Sequence, residues 1–149
     1  MNEATLSDLT PAAEKQPLRI FLVEDSEVLR ELLLEAISTI HGVCINGFSD
    51  SEDDAFERIC ASPCDIVIVD IQLKQGNGIA LLRRLATQPR KPQLINIILS
   101  NNVGTAYRRI IDEFDVCFFF DKTTEFSHLQ SLLQKLGAGT DVRKLQLKL

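Results

Sequence analysis

From Leu18 onward the chain alternates short apolar runs with segments of helical periodicity, and it does so five times. The first run, "LRIFLVED" (18–25), reads as a strand. Leu29, Leu32, Leu33, Ala36, Ile37 and Ile40 then recur at i, i+3, i+4, i+7, i+8 and i+11, which is one face of a helix. "VCINGF" (43–48) is a second strand. Ser51, with Asp54 three residues on, has the form of a capping box, and the helix it opens carries Phe56, Ile59 and Cys60 as its inward stripe. "DIVIVD" (65–70) is a third strand, followed by the turn "KQGNG" and a helix with Ile79, Leu82, Leu85 and Ala86 on one face. "QLINIILS" (93–100) is the fourth strand, after which Tyr107, Ile110, Ile111 and Phe114 mark a helical face. "VCFFFD" (116–121) is the fifth, and Leu129, Leu132, Leu133 and Leu136 mark a last helix that stops near Gly137.

Strands apolar at nearly every position need cover on both faces, and helices of this length between them supply it. Right-handed crossovers then give an α/β fold with a doubly wound, five-stranded parallel sheet. Residues 1–17 are polar, include Pro11 and Pro17, and read as a flexible N-terminal arm. Gly137 and Gly139 mark the end of the domain. In the tail "TDVRKLQLKL", Leu145, Leu147 and Leu149 fall on alternate positions, a strand-like spacing on what reads as a loose end.

A chain of 149 residues is one ordinary domain. Its net charge of −5 argues against a general nucleic-acid surface. No apolar run approaches a membrane span and the N-terminus carries no secretory apolar segment, so the expected compartment is the cytoplasm. Cys44, Cys60, Cys64 and Cys117 form no C-x-x-C pair and read as reduced, structural thiols. His41 and His128 are scattered and read as neither phosphodonors nor metal ligands.

In an open α/β sheet, ligands bind beyond the carboxyl ends of the strands. Strand one delivers Glu24 and Asp25 there, strand three Asp70, strand four Ser100, and strand five Asp121 and Lys122. Two carboxylates about 4 Å apart repel by roughly 4 kcal/mol at an effective dielectric near 20. One lysine cannot neutralise three of them, whereas a divalent cation can, and an all-oxygen site completed by water suits Mg²⁺. A carboxylate kept ionised beside Mg²⁺, an ammonium and a hydroxyl is equipped to accept a phosphoryl group.

These pieces together resemble the receiver domain of two-component response regulators, of the stand-alone chemotaxis-regulator kind, over about residues 18–137. The matching runs are the acidic pair in "FLVEDS", "DIVIVDIQL" with the glycine eight residues past Asp70, the "ILS" strand end and the "FFFDK" strand end. Residues 138–149 then form a C-terminal tail. The resemblance implies a flavodoxin-like sheet of order 2-1-3-4-5. It implies Mg²⁺ ligation by Asp25, Asp70 and the backbone carbonyl of Gln72, with Glu24 acting through water. Asp70 would be the phosphoacceptor, with Lys122 and Ser100 contacting the phosphoryl group. The implied switch couples Ser100 to Phe119, which turns inward after phosphorylation and rearranges the helix after strand four, strand five and the helix after strand five. Gln72 and Asn102 flank the site and bear on phosphoryl lifetime.

The implied partners are a sensor histidine kinase or histidine phosphotransfer protein upstream and a protein target downstream. No DNA or membrane binding is expected, and a phosphorylation-dependent homodimer is among the assemblies the resemblance allows. The protein would be a signalling switch rather than an enzyme, limited to its own phosphorylation and dephosphorylation. Three positions depart from the family pattern. Thr123 follows Lys122 where proline in a cis bond is usual, Asn101 replaces a small residue and narrows access to the site, and Lys74 stands where a proline often follows the phosphoacceptor strand.

Three other classes compete with this reading. A haloacid-dehalogenase-type phosphatase needs a second carboxylate two residues past its nucleophile, and that position here is Gln72. A dinucleotide-binding domain needs glycines after strand one, where the chain reads "EDSEV". A receiver-like docking module that works without phosphorylation stands as the alternative reading.

Overall fold

The computed structural model describes residues 16–89, 93–101 and 109–147. Five strands, β1 (Leu18–Val23), β2 (Val43–Ser49), β3 (Ile66–Val69), β4 (Ile95–Ser100) and β5 (Cys117–Asp121), form one parallel sheet in the order β2-β1-β3-β4-β5. The helices are α1 (Glu27–Ser38), α2 (Glu52–Ala61), α3 (Gly78–Ala86), α4 (Phe126–Gly137) and a short α5 (Val142–Leu147). The expected doubly wound α/β architecture and strand order are therefore present.

Strand side chains alternate between two apolar layers, which is why the strands lack a polar face. Ile20, Leu22, Ile66, Ile68, Ile97, Leu99, Phe118 and Phe120 face α1 and α4 through Leu33, Ile37, Leu129 and Leu133. Phe21, Val23, Val67, Val69, Ile98, Cys117 and Phe119 face α2 and α3 through Ile59, Ile79, Leu82 and Leu85. Because β1 and β3 are neighbours with Val23 opposite Val69, the next residues outward, Glu24 and Asp70, emerge side by side. The Asp70 amide still donates to the Val23 carbonyl (3.0 Å) and the Glu24 amide to that of Ser49 (3.0 Å), so the ladder holds their backbones rigid.

The glycine eight residues past Asp70 has a steric reason. Gly78 opens α3 against the end of β3, its amide donating to the Ile71 carbonyl at 2.7 Å. A Cβ there would sit 2.0 Å from the Asp70 carbonyl oxygen and 2.7 Å from Val69 Cγ2. Gly78→Ala is expected to destabilise the fold by about 3 kcal/mol, at the upper part of the usual cost of overpacking. A urea midpoint that stays at the wild-type value would contradict that close approach.

Three expectations are corrected. The capping box at Ser51 does not form. Ser51 is the N-cap of α2 without a side-chain bond, and Asp54 Oδ2 instead accepts from the Ser49 hydroxyl at 2.6 Å. The tail is neither a strand nor loose through residue 147. α5 packs Leu145 into the layer containing Val116 and Phe118, while Arg143 forks onto the Asp115 carboxylate (2.8 and 3.4 Å). Alternate leucines suggested a strand, but one buried leucine and an anchoring arginine suffice for a helical turn. After β4, the described part of the expected helix is a 3-10 turn, Arg109–Glu113. Tyr107 and Asn102, like most of the N-terminal arm and Leu149, lie outside the described residues.

Candidate functional site

The carboxyl ends of β1, β3, β4 and β5 converge on an open recess of about 530 Å³ lined by Asp25, Asp70, Gln72, Ser100, Asn101 and Lys122. Glu24 lies beneath it, 1% exposed, and Asp70 is 7% exposed. Carboxylate oxygens of Glu24, Asp25 and Asp70 all lie within 4.8 Å of one another. Among the described residues these are the acidic side chains so gathered.

Lys122 reaches into this cluster from the end of β5. Its Nζ lies 2.6 Å from Asp70 Oδ2 and 3.1 Å from Glu24 Oε1. Burial acts to lower the lysine's pKa, but the Asp70 hydrogen bond and the charges of Glu24 and Asp70 outweigh it, so Lys122 is held above the ordinary lysine value. Burial pushes the Glu24 carboxyl above its ordinary value, against the opposing pull of the Ser26 amide (3.0 Å) and Lys122. A carboxyl raised in the folded state binds its proton more tightly than in the unfolded chain. Glu24 therefore subtracts stability as pH rises from the unfolded value of 4.5 through its folded value.

The charge balance tests the fit of a metal. Three carboxylates face one ammonium, which leaves an excess of negative charge at buried or half-buried oxygens. An all-oxygen set with room for solvent fits a hard divalent cation. Asp65, at the opposite end of β3, is a contrast. It is buried, but it accepts from the Arg19 amide (2.7 Å) and Nε (3.1 Å) and reads as structural.

The loop carrying Lys122 replaces the usual proline with hydrogen bonds. Asp121 Oδ1 accepts from the Thr123 amide and hydroxyl, both at 2.7 Å, and from the Thr124 amide at 3.0 Å. These bonds hold the Asp121 carboxyl below its ordinary value. The Asp121 amide donates to Glu125 Oε1 (2.9 Å), and the Glu125 amide donates back to the Asp121 carbonyl (3.1 Å). Glu125 was missed in the sequence, where its spacing of four from Asp121 was the available signal.

Ser100 is buried at the end of β4, opposite Asp121, and its carbonyl accepts from the Lys122 amide at 3.1 Å. Phe119 is already buried, opposite Ile98 in the layer facing α2 and α3. Asn101 is exposed on the rim of the recess and Gln72 lies at its mouth. Lys74 points away, with its Nζ 3.9 Å from Asp50. The cysteines are all free. Burial pushes the Cys117 thiol up to about 12, consistent with a structural role.

The family model of the response regulator receiver domain matches residues 20–134. The chain belongs to the response regulator receiver domain family. Receivers are the phosphoacceptor modules of two-component signalling, generally bind Mg²⁺ at an acidic pocket, and interact with histidine kinases or phosphotransfer proteins. The receiver is 33% identical over 84 residues to the DNA-binding transcriptional activator DevR/DosR of Mycobacterium tuberculosis, covering 56% of this chain and 38% of that protein. It is 34% identical over 87 residues to the regulatory protein VirG of Agrobacterium fabrum, covering 57% and 33%. It is 26% identical over 96 residues to a protein-glutamate methylesterase/protein-glutamine glutaminase of Anaeromyxobacter dehalogenans, covering 64% and 25%. The matches thus span a quarter to about two fifths of these relatives' lengths.

Among solved structures, a CheY-like receiver domain from Methylobacillus flagellatus superposes with a TM-score of 0.67 at 22% identity, covering 81% of this chain and 99% of the other. A LuxR-family response regulator from Aurantimonas sp. superposes with a TM-score of 0.73 at 21% identity, covering 84% and 88%. Among the described residues no helix is long and apolar enough to cross a membrane.

Proposed function

We propose that Asp70 is the phosphoacceptor of a Mg²⁺-dependent switch, charged by a phosphohistidine on a sensor kinase or phosphotransfer protein. The observation that carries this reading is the Asp70 carboxylate, 7% exposed yet open to the recess, with Lys122 Nζ at 2.6 Å and two further carboxylates beside it. A carboxylate oxygen of Asp70 would attack phosphorus, forming an O–P bond as the donor's N–P bond breaks and its imidazole departs. The product is an acyl phosphate.

The chain's own groups divide the work. Lys122 orients the Asp70 carboxylate through Oδ2 and is close enough to follow charge onto the transferred oxygens. Asp25, Asp70 and the Gln72 carbonyl are the ligands we assign to Mg²⁺, with Glu24 acting through water and adding negative potential below. The cation supplies the positive charge that the equatorial oxygens of a transferring phosphoryl group need. Ser100, at the end of β4, lines the recess and offers its hydroxyl to the phosphoryl group, and Phe119 lies on the neighbouring strand. Output would pass through a protein target that reads the surface around β5 and its flanking helices, without enzymatic turnover and without DNA contact. Gln72 in place of a second acidic group is the feature that disfavours a hydrolase.

A titration followed by amide NMR tests the proposal. Mg²⁺ is expected to shift Asp25, Asp70 and Gln72, and beryllium fluoride, a phosphoryl mimic, to shift Ser100, Asn101 and Lys122 in addition. A protein that responds to neither ligand is a docking module that keeps the fold without the chemistry.

A further inference from the structure

The loop between β3 and α3 is fastened from outside the carboxylate cluster. Gln72 and Asn77 face each other across it in an antiparallel bridge, and Ser51, just past β2, bridges Gln75 in parallel. Beside the Lys74–Asp50 ion pair, two outward hydrogen bonds come from Glu52, the first residue of α2. Its amide donates to the Gln75 carbonyl at 2.9 Å, and its Oε1 accepts from the Asn77 amide at 3.0 Å. The other oxygen, Oε2, accepts from Arg84 Nη1 at 3.0 Å. That arginine, in the last turn of α3, also bonds Asp53 (2.7 Å) and lies over the Phe56 ring at 4.1 Å.

We infer that Glu52 is a positioning residue for the metal site, holding the 72–77 loop so that the Gln72 carbonyl faces Asp25 and Asp70. This rests on the reading of Gln72 as a Mg²⁺ ligand. Glu52 touches none of the three clustered carboxylates. It acts through the loop that lies between it and the recess. Gly76 belongs to the same fastening, since its φ of +96° turns the chain where a Cβ would meet Glu52 Cβ at 2.3 Å. A backbone ligand has no rotamer of its own, so its aim is set by where its loop is tied. The loop is tied here by one oxygen of a carboxylate whose other oxygen accepts from Arg84.

The two oxygens of Glu52 allow the tie to be separated from the charge. Glu52→Gln keeps an acceptor for the Asn77 amide and removes the negative charge facing Arg84. Glu52→Ala removes both. Arg84→Met removes the ion pair and leaves the tie. Mg²⁺ dissociation constants measured by calorimetry are expected to weaken about tenfold in Glu52→Ala, the low end for loss of a group that orients a ligand. Glu52→Gln and Arg84→Met are expected to stay near wild type. Hydrogen exchange in metal-free protein supplies a second reading, with the Asn77 and Gly78 amides losing protection in Glu52→Ala only.

Equal Mg²⁺ binding by wild type and Glu52→Ala overturns the inference, as does a Glu52→Gln variant as weak as the alanine variant. Should Glu52→Ala fail to fold, an Asn77 amide in wild type that exchanges as fast as an open loop overturns it. A wild-type protein that binds no Mg²⁺ is a different outcome: it overturns the metal-site reading itself, on which the inference stands.

Discussion

Lys122→Met is expected to destabilise the metal-free protein by about 3–5 kcal/mol at neutral pH, the cost of stripping the partner from buried charges. The side chain keeps its length and apolar stem, so packing changes little. What is lost is the ammonium 2.6 Å from Asp70 and 3.1 Å from Glu24. Glu24 is already raised by burial with the lysine present, and without the lysine's opposing pull it would bind its proton more tightly still in the folded state. The variant's stability should therefore fall as pH rises above the unfolded Glu value of 4.5, so the gap to wild type is small in acid and full at neutral pH.

At the alkaline end the sign is set by Lys122 itself. Its folded pKa lies above 10.5, so the stability it contributes is present below that value and is lost as pH rises through the folded one. Mg²⁺ should narrow the gap between variant and wild type, because a divalent ion takes over part of the neutralisation. Urea titrations with and without Mg²⁺, in acid and at neutral pH, measure all of this. A gap independent of both pH and Mg²⁺ would mean that Lys122 matters for packing rather than for charge.

The carboxylate site was legible in the sequence because its parts sit where strands end. An apolar run such as "DIVIVD" announces its end by the polar residue that closes it, and four such ends, at Glu24, Asp70, Ser100 and Asp121, bring their polar residues to one edge of a parallel sheet. Adjacency of Glu24 and Asp70 follows from the crossover that places β3 beside β1. Features set by contacts between distant segments were not legible. The Asp54 carboxyl serves Ser49 rather than the Ser51 amide because the end of β2 brings that hydroxyl close. Helix α5 depends on Leu145 finding the layer around Val116, and on Asp115 being there for Arg143. The tie from Glu52 to the 72–77 loop depends on Ser51 lying beside Gln75, a register that no local pattern encodes. Thr123 was read as a departure from the family pattern. In the structure it supplies two of the three donors to the Asp121 carboxylate, the Thr124 amide being the third, and the turn forms without proline.

The central claim is that the carboxylate at the end of β3 is there to be phosphorylated. Asp70 sits 7% exposed in the recess, held by Lys122, just past β3 with its amide bonded to the Val23 carbonyl. Asparagine at this position keeps the shape and one acceptor oxygen but lacks the ionised oxygen that attacks phosphorus. Glu24, Asp25 and Lys122 would still be present, so a residual signal from another residue would be detectable. The direct measurement is uptake of labelled phosphoryl from acetyl phosphate, or from a phosphorylated histidine donor, by wild type and Asp70→Asn in Mg²⁺ and in chelator. Base-labile, hydroxylamine-released label is expected on the wild type in Mg²⁺ only, and none on Asp70→Asn. Label on Asp70→Asn at the wild-type rate would contradict the central claim.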